Sequence, residues 1–250
     1  MTRNSCATLT LATLAALGLS ATTAHAQTLA YWNFDTQGTP SFSATVGANP
    51  SLAVTSGVDS SSASMGFTGF TNNGQDGTPA FAFILPGANT PGTSTASTAA
   101  LRLASGNDTA QNNGSALFWK ASTAGYSSIV VNYDTQQSSS STFQTQTFEY
   151  STDGGTTFTP VSSITPPTAY ATQSFNLSSI PGIANNPNAA FEIVFSGAPV
   201  YTGTAAPNNR IDNVTVTGVV APEPSSAAGM VIGTGVLGLL VARRRKAVQA

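Results

Sequence analysis

Between positions 27 and 221 the apolar residues come in short runs rich in Phe, Tyr, Trp, Val and Ile, broken by Ser, Thr, Asn and Gly. Runs of this kind suit a pleated, half-buried surface, so they read as strands. The segments are 29–34, 51–55, 65–70, 80–85, 100–104, 116–121, 128–133, 142–151, 157–162, 169–177, 190–196 and 211–218. Nowhere between them do apolar positions recur at the three- and four-residue spacing of an amphipathic helix. Asp153-Gly154-Gly155 joins two runs as a hairpin turn, because glycine supplies the positive φ that the turn requires. The run from Ile211 to Val216 closes in apolar/polar alternation, the mark of a strand with one buried face. Segments 86–97 and 138–141 are small, polar and punctuated by Pro, Gly or Ser, and read as loops. The expectation is an all-β fold: an antiparallel two-sheet sandwich of jelly-roll type, with about ten to twelve strands.

The two ends have a different character. Arg3 precedes an apolar run at 9–19, followed by Ala24-His25-Ala26, the order of a secretory signal peptide cut after Ala26. Residues 1–26 are therefore assigned as leader and 27–221 as the exported domain. Cys6 and His25, the chain's one cysteine and one histidine, leave with the leader. The exported domain then holds no disulfide, no Cys/His zinc site and no Ser-His-Asp triad. At the other end Pro222, Glu223 and Pro224 lead into an uncharged segment of 18 residues, 225–242. As a helix it would reach about 27 Å, enough to cross a bilayer. Arg243, Arg244, Arg245 and Lys246 follow and hold the cytoplasmic side, with 247–250 as the cytoplasmic end.

This three-part end resembles the PEP-CTERM sorting signal of exported proteins in Gram-negative bacteria, here spanning 222–246. The resemblance implies recognition by an exosortase, transient anchoring in the inner membrane and release to the cell surface or extracellular matrix. It also implies association with exopolysaccharide or biofilm. The catalytic groups of that sorting reaction belong to the exosortase, so this chain has no catalytic residue in it. An uncleaved single-span anchor is the alternative. Residues 175–177, 180–182, 186–188, 191–193 and 210–214 are further similar, in their order, to the final strands of jelly-roll domains in PEP-CTERM proteins and related carbohydrate-binding modules.

Charge narrows the function further. Only 7% of the residues are charged, against about a quarter in an average globular protein. The exported domain has Arg102, Lys120 and Arg210 against nine acids, so it lacks the basic face that a nucleic-acid partner requires. Three kinds of chemistry remain. Glu149 and Glu192, its two glutamates, are the candidates for a carboxylate-based glycan hydrolase, although nothing in the sequence links them. Asp212, on the last strand, and Asp35, at the end of the first, are the candidate ligands of a structural calcium ion, the one cofactor in view. Trp32 and Trp119, with Tyr126, Tyr133, Tyr150 and Tyr201, are candidate platforms for sugar rings. The expectation is a non-enzymatic surface or matrix protein, with a carbohydrate-binding module as the alternative and a glycan hydrolase behind it.

Overall fold

The computed structural model describes residues 25–35, 54–58, 61–71, 81–84, 87–90, 93–95, 99–106, 111–203 and 207–221. The expected leader at 1–26, apart from His25 and Ala26, and the expected sorting signal at 222–246 lie outside the described residues, as does the end at 247–250. Among the described residues no helix is long and apolar enough to cross a membrane.

Regular structure in the described residues is all strand. In chain order the strands are β1 (Ala26–Trp32), β2 (Ser64–Thr68), β3 (Phe81–Ile84), β4 (Gly87–Thr90), β5 (Thr93–Thr95), β6 (Ala100–Ala104) and β7 (Ser115–Lys120). There follow β8 (Tyr126–Gln137), β9 (Thr145–Ser151), β10 (Thr159–Ile164), β11 (Ala171–Asn176), β12 (Ala190–Ser196) and β13 (Asn208–Val220). Every pairing is antiparallel. One sheet runs β11-β8-β13-β6-β3 with β1 also on β13, and a second runs β10-β9-β12-β7-β2. From β6 onward the chain changes sheet at almost every step, and only β9 and β10 follow one another within a sheet.

The sheets meet through the inward residue of each pleat. On β12, Phe191, Ile193 and Phe195 are buried while Glu192, Val194 and Ser196 are half-exposed. On β7 the inward set is Leu117 and Trp119, and on β8 it is Ile129, Val131 and Tyr133. Phe148 of β9 stacks on Phe175 of β11 with ring centroids 4.1 Å apart, which ties one sheet to the other.

The long strand β13 needs a device to keep its core side chains inward. Ile211, Val214 and Val216 all face the core, yet three residues separate the first two and alternation demands two or four. A bulge between Asp212 and Thr215 absorbs the extra residue, with Asn213 at φ 50°. Asparagine tolerates that left-handed conformation better than other non-glycine residues.

Four expectations change. Segment 86–97, read as a loop, contains the hairpin β4–β5, whose strands pair from Gly87↔Thr95 to Thr90↔Thr93. Its residues are too small to give a strand-like apolar pattern, so backbone pairing around Pro91-Gly92 left no mark on the hydropathy. The run at 51–55 forms no strand at Val54 or Thr55, where Thr55 instead donates its N–H to the Tyr31 carbonyl. Among the described residues thirteen strands exceed the expected count, and β8 extends well beyond 128–133, from Tyr126 to Gln137. The expected hairpin at Asp153 is present between β9 and β10, with Gly154 and Gly155 at φ 77° and 87°.

Candidate functional site

The outer face of the five-stranded sheet carries the most organised set of chemistry-bearing side chains. Register places Gly66 opposite Phe118, Phe118 opposite Glu192, Glu192 opposite Glu149 and Glu149 opposite Pro160. These five residues form one row across β2, β7, β12, β9 and β10, perpendicular to the strands. Their side chains point away from the core, because the neighbours of Phe118, Glu192 and Glu149 along each strand, such as Trp119, Phe191 and Phe148, are the buried ones. Phe118, Glu192 and Glu149 are half-buried and Pro160 is exposed. The glutamate pair therefore lies between two rings, with Gly66 adding no side chain beyond Phe118.

Lys120 stands in the adjacent row, opposite Ala190 and Ser64. On the other side Thr147 and Ser163 share a hydroxyl–hydroxyl hydrogen bond of 2.9 Å.

Sequence reasoning left Glu149 and Glu192 unconnected, and the structure makes them direct cross-strand partners. Side chains so placed have Cβ atoms about 4.5–5.5 Å apart, and like charges at that spacing repel. Burial, and then repulsion by Glu149, pushes the Glu192 carboxyl up from 4.5 to about 7. Burial raises Glu149 as well. A carboxyl whose folded-state value is raised stabilises the fold fully at pH below its ordinary value, and that contribution is lost as pH rises through the folded value. Glu192→Gln is therefore expected to raise Tm at pH 8 and to leave it unchanged near pH 4, in thermal melts at the two pH values. An equal shift at both would mean that the pair does not repel.

The tryptophans are not platforms. Trp32 and Trp119 are 1% and 0% exposed and belong to the core between the sheets. Trp119 lies among Phe148 and Phe191, with centroids 6.2 and 6.1 Å away. Both sit on the inward phase of their strands, and hydropathy could not distinguish that phase because large aromatics fill sandwich cores and binding faces alike. Tyr133 is likewise fully buried, and burial holds its phenol well above the usual value. Tyr126 and Tyr150 pack partly against the core, and Tyr201 is half-exposed in the segment after β12.

The calcium candidates lie at the other sheet. Asp212 is fully buried and sits opposite Asp134, also fully buried. Thr172 donates to Asp134 Oδ1 at 2.6 Å and Asn213 Nδ2 to Oδ2 at 3.0 Å. Asp212 Oδ1 accepts the Asn213 N–H at 2.8 Å. Asp35 Oδ1 accepts the Ala99 N–H at 2.9 Å. The Tyr31 hydroxyl donates to Asn213 Oδ1. Burial first, then Asp212, Asp35 and Asp134, push that phenol up to about 12. Arg102 and Arg210 face each other across β6 and β13, one row from the aspartates.

Among the described residues no group of three or more acidic or thiol/imidazole side chains is placed to hold a metal. The donor set fits a hydrogen-bonded network better than a calcium shell, since each of these carboxylates already accepts from protein donors. Treatment with EDTA is expected to move Tm by less than about 1 °C, because a ligand stabilises only what it binds. A fall of several degrees in the same melt would put a cation in this network.

No family model matches the chain, and no curated protein matches it. Among solved structures it is similar to the N-terminal cellulose-binding domain of Cellulomonas fimi β-1,4-glucanase C, at 17% identity and TM-score 0.34, over 62% of this chain and 95% of that one. It is also similar to the K3 cleaved adhesin domain of Lys-gingipain from Porphyromonas gingivalis, at 13% identity and TM-score 0.41, over 77% and 99%. A third is the family 11 carbohydrate-binding module from Clostridium thermocellum, in complex with a β-1,3-1,4-mixed-linked tetrasaccharide, at 11% identity and TM-score 0.35, over 80% and 99%. The ligands of those proteins are their own.

Proposed function

We propose that this chain is an exported, non-catalytic glycan-binding protein of jelly-roll type. Its ligand lies along the outer face of the five-stranded sheet, across the row Gly66, Phe118, Glu192, Glu149 and Pro160. The observation that carries the reading is this row itself: a half-exposed aromatic on a solvent-facing pleat, beside two opposed hydrogen-bond acceptors. A sugar offers an apolar ring face and outward hydroxyls, and the row offers a ring to the first and carboxylate oxygens to the second. Delivery follows the sorting signal at 222–246, through an exosortase to the surface or matrix, where exopolysaccharide is the partner at hand.

Phe118→Ala is expected to weaken binding to a matrix polysaccharide by about tenfold, the loss of one stacking contact of about 1.4 kcal/mol. Affinity electrophoresis in polysaccharide-loaded gels measures it. Unchanged retardation of the variant would remove the outer face from the reading. Tryptophan emission should not move on binding, since both indoles are buried. The intact mass of the protein recovered from native cells tests the delivery. Loss of both ends supports processing, and retention of 225–250 favours a permanent anchor.

The opposed glutamates also favour a second reading, a retaining glycan hydrolase. Directly paired side chains approach the roughly 5–5.5 Å carboxyl separation of that mechanism. Glu192, raised to about 7, would be the acid and Glu149 the nucleophile. Release of reducing ends from a polysaccharide, abolished in Glu192→Gln, would establish it. Binding without turnover keeps the first reading.

A further inference from the structure

The charge pattern of this face narrows the glycan it can hold. The exported domain has three cations in all. Arg102 and Arg210 are spent on the six-stranded sheet, where they are Cα partners on β6 and β13. Lys120 alone belongs to the five-stranded sheet, exposed at the end of β7 and one row away from the glutamates. At the centre of the face the domain's two glutamates stand directly opposite each other. Neighbouring strands bring no further ionisable group to the row: β10 contributes Pro160, and β2 contributes Gly66. A like-charged pair half-withdrawn from water costs stability in the free protein, and a cation placed between the carboxylates turns that repulsion into attraction.

We propose that this face selects a glycan bearing protonated amino groups, with one ammonium seated between Glu149 and Glu192 and its sugar ring against Phe118. The proposal rests on the outer face being the glycan platform and adds the charge class of the ligand. An ammonium donates a charge-assisted hydrogen bond to each carboxylate, and such bonds are about twice as strong as those from neutral hydroxyls. Phe118 takes the apolar face of the sugar ring that carries the ammonium. A neutral sugar leaves the carboxylates repelling each other. A uronate or sulfated polymer brings further negative charge to a domain with nine acids against three bases. Protonating Glu149 or Glu192 removes the attraction, and so does deprotonating the sugar's own ammonium, so binding weakens on both sides of a pH optimum.

The test is isothermal titration of the purified protein at low salt with three probes of equal length: a chitosan oligosaccharide, a cello-oligosaccharide and an oligogalacturonate. The wild type is compared with the E149Q/E192Q double variant, whose fold is checked by near-ultraviolet dichroism. The expected result is chitosan oligosaccharide bound at least about tenfold more tightly than the neutral probe, with no binding of the anionic one. In the double variant that preference collapses, and the amino and neutral probes bind within about twofold of each other. Chitosan binding unchanged in the double variant would show general attraction to an acidic protein and overturn the proposal. So would equal binding of the neutral and amino probes by the wild type, or tighter binding of the anionic one, although the platform would survive either. Failure of the wild type to bind any of the three overturns the platform and the charge class together.

Discussion

Phe148→Ala is expected to lower the free energy of unfolding by about 3–5 kcal/mol, the range for emptying a buried aromatic site. Phe148 is fully buried, and its ring stacks on Phe175 at 4.1 Å and lies 6.3 Å from Phe191 and 6.2 Å from Trp119. Three of these rings belong to the five-stranded sheet, and Phe175 belongs to the other. Truncation therefore opens a cavity at the seam where the sheets are joined, and rigid strands on both sides limit its collapse. Urea unfolding measures the effect as a lower midpoint with an unchanged slope. Phe148→Leu restores most of the volume and should recover more than half of the loss. A cost below about 1 kcal/mol for the alanine variant would mean that the sheets are held elsewhere.

Asn213→Ala should cost about 2–4 kcal/mol, from two sources that a second variant separates. The first is chemical. Asn213 accepts from the Tyr31 hydroxyl and donates to buried Asp134, so its removal strips a partner from a buried carboxylate and from a phenol. The second is conformational, since Asn213 sits at φ 50°, where a Cβ without a compensating side-chain bond is disfavoured. Asn213→Gly relieves the backbone but keeps the chemical loss, and should fall between the alanine variant and the wild type. Loss of the Tyr31 bond also removes an acceptor that favours the neutral phenol, so a spectrophotometric titration against the wild type should show Tyr31 ionising at lower pH in the variant. Equal stability of the alanine and glycine variants would leave hydrogen bonding as the whole effect.

Class and phase were legible in the sequence to different degrees. The aromatic and β-branched run at 190–196 and the Asp153 turn announced β12 and the β9–β10 hairpin, because such a run suits a pleated surface and the turn chemistry is unambiguous. The hairpin β4–β5 was invisible, since its residues are too small for a hydropathy pattern to separate strand from loop. Trp32 and Trp119 were misread for a different reason. Composition names a ring but not its side of the sheet, and that side depends on bulges such as the one at Asp212. The pairing of Glu149 with Glu192 lies beyond any local signal. The two positions are 43 residues apart, and β10 and β11 intervene between their strands. Phe118 could have been found by pairing each run's outward phase, but only once the strand order was known.

The partners of β13 bear on how such a domain reaches its final form. β8 lines one side of β13, and the other side is shared end to end by β6, at Asn208 to Ile211, and β1, at Val214 to Val219. The first strand described and the last are therefore zipped together, with Ala26 against Val219. A chain that appears amino-terminus first keeps β1, β6 and β8 without their shared neighbour until residues near 220 arrive. Closure is then a late, long-range event, slow by the nature of its contacts. The unzipped edges need shielding in the interval, which makes this stage the one most exposed to misassociation and to proteolysis.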